Sequence, residues 1–193
     1  LQYEKKKGNL YPTHGLGPVS QYMNLLRSED TFKTLVSFSS PALGREKFAR
    51  ENFKENHKWN KLNYQNGDIN TTVIKTYLGR TIMVQWDETS PRPYTRLNLI
   101  QGTKGVLAGG PTRAAFDNGF EGYTKDSEEW IIGEGIDALY EKYDHPMYKR
   151  LNKITKDSGH GGMDGMMVYR ILECLRNGEP LDQNVYEDVP GAH

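Results

Sequence analysis

Apolar residues recur at helical spacing at Leu16, Val19, Met23 and Leu26, with Pro18 suited to a first turn, so the pattern predicts a helix of roughly three turns from near Gly17. Residues 43–55 read as a surface helix in which Glu46 and Arg50 form an i,i+4 pair and Phe48 and Phe53 supply the apolar contacts. Alternation then takes over. Thr72 to Leu78 and Thr81 to Asp87 predict two strands joined by Gly79-Arg80 as a two-residue turn with glycine first. With Leu78 opposite Thr81, Val73, Tyr77, Ile82, Val84 and Trp86 share the core face. Thr72, Ile74, Thr76, Met83 and Gln85 form the other face, semi-apolar and suited to a partner.

Further strands are expected at Arg96 to Gln101 and Gly105 to Ala108, turning at Gly102-Thr103-Lys104. Trp130, Ile131, Ile136, Leu139 and Tyr140 predict a helical segment interrupted by Gly133 and Gly135 and broken at Asp144-His145-Pro146. The last helix runs from about Gly162 to Arg176. Met163, Met166, Met167, Ile171 and Cys174 form one stripe and Val168, Leu172 and Leu175 another, which predicts a largely buried helix stopped by Asn177-Gly178 and Pro180. The reading is α+β, with a sheet that grows by hairpins and one domain spanning residues 1–193.

Composition narrows the partners. Lys plus Arg equals Asp plus Glu at 25 each, so no overall field favours nucleic acid or an anionic membrane, and Lys5-Lys6-Lys7 reads as a solvated run. No stretch approaches the ~20 apolar residues of a membrane span. The single cysteine, Cys174, excludes an internal disulfide, and its place in an apolar helix points to packing.

Two constellations could carry chemistry: Tyr11-Pro12-Thr13-His14-Gly15 and Gly159-His160-Gly161-Gly162-Met163-Asp164. Each sets a histidine at a helix mouth, where the positive end of the dipole disfavours imidazolium and suits a proton acceptor, and where free N–H groups can hold a hydroxyl or phosphate oxygen. The plainer reading is a capping histidine, with Asp164 complementing the dipole. His57 and His145 read as surface residues. His160 and Asp164, even with His14, are poor grounds for a metal site, and none is expected. Gly133-Glu134-Gly135-Ile136-Asp137-Ala138 has the spacing of a dinucleotide fingerprint but lacks the following strand and acidic residue, so its glycines are read as allowing close packing.

At these residues a family resemblance emerges. Tyr11 to Pro18 (YPTHGLGP) closely resembles a signature of glycoside hydrolase family 109, within the wider Gfo/Idh/MocA oxidoreductases. The likeness continues through Asn98 to Gly105, Gly159 to Asp164, Arg176 to Asp182 and Val185-Tyr186. It covers nearly the whole chain and resembles the region that follows the nucleotide-binding domain.

The resemblance implies an open, mostly antiparallel sheet with helices packed on one face, as in Gfo/Idh/MocA C-terminal domains. It also implies an NAD-dependent α-N-acetylgalactosaminidase-like glycosidase that cleaves an N-acetylhexosaminide by transient oxidation at C3, elimination and water addition rather than by paired carboxylates. NAD would be bound mainly by a Rossmann domain outside this chain, and this chain alone would be inactive. By motif match, Tyr11 and His14 would be catalytic, and Tyr11, Thr13, Tyr94, His160 and Asp164 would face the sugar. Self-association through the open sheet face is likewise implied, as is an exported, periplasmic setting. A simple sugar dehydrogenase and a non-catalytic carbohydrate-binding or assembly domain are the alternatives.

Overall fold

The computed structural model describes residues 7–26 and 29–183. Lys5, Lys6, Val185 and Tyr186 of the sequence reading lie outside the described residues. The fold is α+β, with two three-stranded antiparallel sheets where one growing sheet was expected. The chain divides into two compact units, Leu1–Pro93 with Asp182–His193, and Tyr94–Leu181.

In the first unit, α1 (Thr13–Tyr22) precedes β1 (Phe32–Ser39), α2 (Leu43–Asn52), β2 (Ile69–Thr76) and β3 (Thr81–Asp87), with the strands in the order β1-β2-β3. Helix α1 begins four residues before Gly17, so Pro18 stands inside the helix and not in its first turn. Leu16, Leu25, Ile74 and Ile82 make a buried cluster, with Val19, Met23 and Val84 packed against it. Each fully buried side chain of this size contributes about 1.5–3 kcal/mol.

The hairpin turns differently from its sequence reading. Thr76 N–H donates to the Arg80 carbonyl (2.9 Å) and Gly79 N–H to the Thr76 carbonyl (3.1 Å), so Tyr77-Leu78-Gly79 is a three-residue loop with Gly79 last, at φ 86°. Glycine tolerates that left-handed conformation at no steric cost. Ile74 therefore faces Ile82, and Val73 faces Met83. The shift turns β2 over: Thr72, Ile74 and Thr76 are buried, while Val73 and Tyr77 are exposed. The solvent face carries Val36, Phe38, Val73 and Met83, the last 72% exposed.

In the second unit, β4 (Leu99–Gly102), β5 (Gly105–Ala108) and β6 (Arg113–Phe116) form a meander. Ala114 of β6 exchanges hydrogen bonds with Ile131 (3.1 and 2.7 Å), and both join Ile136 in a core flanked by Phe116, Phe120 and Leu139. Trp130 and Ile131 thus precede α3 (Glu134–Tyr143) and do not begin it. Pro146 opens α4 (Pro146–Thr155) at its first turn, with His145 Nδ1 accepting from Met147 N–H at 3.2 Å. Helix α5 (Met163–Asn177) ends on left-handed Gly178. Its apolar stripes are not buried as expected: Cys174 is, but Met163, Met167, Val168, Leu172 and Leu175 are exposed.

Candidate functional site

Two groups of candidate residues take shape, one in each unit. In the first, Pro12 (φ −74°) leads into α1, so Thr13 and His14 occupy its first turn and not the loop before it. Asn9 Oδ1 accepts from Tyr11 N–H (3.0 Å), fixing the approach to the helix. The Tyr11 and His14 rings lie 4.6 Å apart at 30°, and both side chains reach solvent. Beneath them Gly15 stands at van der Waals distance from Val84 of β3, where an added Cβ would lie 3.5 Å from a Val84 methyl. The turn is therefore anchored on the sheet, and its imidazole and phenol face outward. Pro18 has no N–H to give the His14 carbonyl, the bond that helix geometry would otherwise place there.

In the second unit, Gly159, His160, Gly161 and Gly162 all have positive φ (90°, 44°, 66° and 99°) and lead into α5. His160 is unusual there, because a side chain in the left-handed region is strained. Its Nδ1 sits 2.9 and 3.0 Å from the two Asp164 oxygens. An ionised carboxylate can only accept, so Nδ1 is the donor of this pair, on an exposed ring. Gly159 makes room: a Cβ there would collide with Asp164 Oδ2. Tyr94 is 84% exposed, and its phenolic oxygen accepts from Arg96 Nε at 3.0 Å.

Among the described residues the other two histidines, His57 and His145, have structural partners. His57 stacks on Phe53 (4.6 Å) and accepts from Trp59 N–H, and His145 caps α4. Among the described residues no three His, Cys, Asp or Glu side chains group as metal ligands. The Cys174 thiol is buried and donates to the Pro180 carbonyl (3.4 Å).

The carboxylates that burial affects most went unremarked in the sequence. Burial raises the Asp30 carboxyl, but Leu78 N–H, the Arg80 guanidinium and the Thr76 hydroxyl outweigh it and hold it below its ordinary range. Asp87 follows the same logic, burial being outweighed by Ser90 and then Arg92. Both are structural anchors. Their partners are brought in by the fold, and in Asp30's case no local spacing announced them.

Gly133–Ala138 has the spacing of a dinucleotide fingerprint but not its surroundings. Gly133 (φ 52°) follows the bridge residue Ile131, and the Cβ position of Gly135 is taken up by Ile131 and Tyr123 side chains. Both sheets are antiparallel, so among the described residues there is no parallel β-α-β unit to place a pyrophosphate on a helix end. The glycines serve close packing.

The model of the glycosyl hydrolase 109 C-terminal domain matches residues 1–191. The chain is 61% identical to glycosyl hydrolase family 109 protein 1 of Akkermansia muciniphila over 187 residues, 96% of this chain and 38% of that protein. It is 60% identical to protein 2 of the same organism, covering 93% of this chain and 38% of the relative. A family 109 protein of Shewanella baltica is 56% identical, over 96% of this chain and 39% of its own length. The chain thus spans about two fifths of the length of the curated relatives it matches. It belongs to glycosyl hydrolase family 109, as that family's C-terminal domain.

Proposed function

We propose that this chain is the sugar-facing part of an NAD-dependent glycosidase that cleaves α-N-acetylhexosaminides. The observation that carries the reading is the tilted Tyr11–His14 ring contact in an anchored, outward-facing helix turn, in a chain of family 109. NAD, held by the part of the full-length protein outside this chain, would supply reversible oxidation at the sugar's C3. Such oxidation acidifies the C2 proton, so the glycosidic bond breaks by elimination, water adds back, and the net change is hydrolysis.

The residues of this chain would bind, orient and move protons. His14 would take a proton from the reacting hydroxyl and return it, and Tyr11, whose ring contacts the imidazole, would offer a phenol to the sugar. Thr13 contributes a hydroxyl on the same turn. His160, oriented by Asp164, offers Nε2 as an acceptor, and Tyr94 an exposed phenol. The exposed apolar faces of α5 are suited to cover by the rest of the full-length protein, and the solvent face of the first sheet to a second copy of the chain. Export to the periplasm completes the reading.

Turnover of an aryl α-N-acetylgalactosaminide by the full-length protein in D2O tests it. Free N-acetylgalactosamine carrying deuterium at C2, with no net NADH, is expected. Net NADH without cleavage identifies a simple sugar dehydrogenase, and sugar binding with neither product identifies a non-catalytic module.

A further inference from the structure

Asn66, in the link from α2 to β2, is fully buried, and both ends of its side chain are in use. With the amide oriented to satisfy both, its oxygen accepts from Arg45 at 3.1 Å and its nitrogen donates to the Gly8 carbonyl at 3.2 Å. The backbone here has no room to shift. A Cβ on Gly67 would collide with the Ser40 carbonyl, and Ser40 is tied to the start of β2: its N–H donates to the Ile69 carbonyl (2.9 Å) and its hydroxyl accepts from Ile69 N–H (3.0 Å). Arg45 closes the other side, donating to the Asn66 carbonyl as well (3.2 Å) and pairing with Glu88. A buried amide held in this way offers its N–H at a fixed point, and that N–H goes to the segment that leads to Tyr11.

One residue further on, a second amide takes over. Asn9 is 9% exposed, and its Oδ1 accepts Tyr11 N–H at 3.0 Å, which makes an Asx turn. Tyr11 also precedes Pro12, whose ring disfavours the helical region for the residue before it. With its N–H held and its ψ restricted, Tyr11 has little backbone freedom of its own, so the place of its ring follows from where residues 8 and 9 are held. Gly8 lets the chain bend there. Its φ is 114° and nothing lies within 4 Å of where a Cβ would stand, so the glycine answers to the backbone angle and not to space. The Tyr11 ring then meets the His14 ring at 4.6 Å.

We propose that Asn66 is a positioning residue: through the Gly8 carbonyl and the Asn9 amide it fixes where Tyr11 stands against His14, and so how the ring pair meets the sugar. The effect on turnover rests on the glycosidase reading above; the effect on Tyr11 does not. Single substitutions divide the relay. Asn66→Asp keeps an acceptor for Arg45, loses the donor and sets a carboxylate oxygen against the Gly8 carbonyl. Asn9→Ala removes the acceptor from Tyr11 N–H, and Asn9→Asp keeps it.

Two measurements on the full-length protein test the relay. The first follows hydrogen exchange at the Tyr11 amide in protein carrying 15N-tyrosine, the signal being identified by its loss in Tyr11→Ala. Exchange should be about tenfold faster in Asn66→Asp and in Asn9→Ala and close to wild type in Asn9→Asp. The second is turnover of an aryl α-N-acetylgalactosaminide: Asn66→Asp and Asn9→Ala should each lower kcat about tenfold with KM held within about twofold, and Asn9→Asp should restore the rate. In a Tyr11→Ala background the same two changes should alter kcat by less than about twofold, because a residue that acts through Tyr11 then has nothing left to place. Unchanged Tyr11 exchange in Asn66→Asp, or losses of kcat that persist in the Tyr11→Ala background, overturn the proposal and leave the glycosidase reading standing. Wild-type protein that turns over no glycoside overturns the glycosidase reading, and faster Tyr11 exchange in both variants then still upholds the placing of Tyr11 by Asn66.

Discussion

Asp30 and Arg80 meet across fifty residues of chain, the guanidinium Nε donating to Asp30 Oδ2 at 2.8 Å while Leu78 N–H donates to Oδ1 at 2.9 Å. One buried carboxylate thereby fixes the loop between β2 and β3 from outside the hairpin. Because its folded pKa lies below the ordinary carboxylate value, the stability it contributes is present above that value and lost as pH falls through the folded pKa. Asp30→Asn keeps the shape, leaves Arg80 without its counter-charge and should lower Tm by roughly 5–10 °C near neutral pH. The gap between variant and wild type should close on acidification below the carboxylate range. Thermal melts across pH read this directly, and a gap that stays constant in acid shows that Asp30 contributes through shape alone.

His14→Ala in the full-length protein should lower kcat by about two to four orders of magnitude, the usual scale of a general acid–base group. Since the side chain reaches solvent, Tm should move by no more than about 2–3 °C. Turnover near wild type would leave His14 as a ring contact of Tyr11 and nothing more.

Asp164 and Gly159 should act on His160 together. Asp164→Ala removes the acceptor from Nδ1, so 15N NMR should show the His160 ring passing from the Nδ1–H tautomer to a mixture, with kcat/KM reduced about tenfold. Gly159→Ala puts a methyl against Asp164 at φ 90° and should cost about 1–2 kcal/mol while producing the same tautomer change. An unchanged ring spectrum in both variants would separate the pair from any positioning role.

The solvent face of the first sheet gives a test of self-association. Val73 and Met83 are cross-strand partners on that face, so changing both to lysine sets like charges on any two-fold contact made there and should yield a monomer that melts near wild type. Ile74→Lys, by contrast, should prevent folding, because Ile74 is 1% exposed. Sedimentation equilibrium distinguishes the outcomes, and a double variant that still dimerises removes this face from consideration.

That pair of variants marks where the sequence could and could not be read. The β2–β3 hairpin, α2 with its Glu46–Arg50 bond of 2.8 Å, and the end of α5 at Gly178 follow from local periodicity and capping. The hairpin's register does not. It turns on whether Gly79 begins or ends the loop, and the deciding contact, Leu78 N–H to Asp30, comes from far along the chain. Helix α4 was hidden because Pro146 breaks one helix and opens the next at the same place. Strand β6 is short and alanine-rich, so its partner Ile131 was read as helical. At the candidate site, motif spacing put both histidines at helix mouths. The Nδ1 contact of His160 and the tilted contact of Tyr11 with His14 depend on the folded backbone and have no signature in spacing.

Pro18 gives position 14 a second chemical group. With no amide hydrogen arriving from residue 18, the His14 carbonyl lacks the i+4 donor that an uninterrupted helix would give it. Mutation of the ring leaves that oxygen in place. In the proposed site His14→Ala should therefore act on the rate far more than on the capture of a hydroxyl, because side-chain substitution does not reach the main chain.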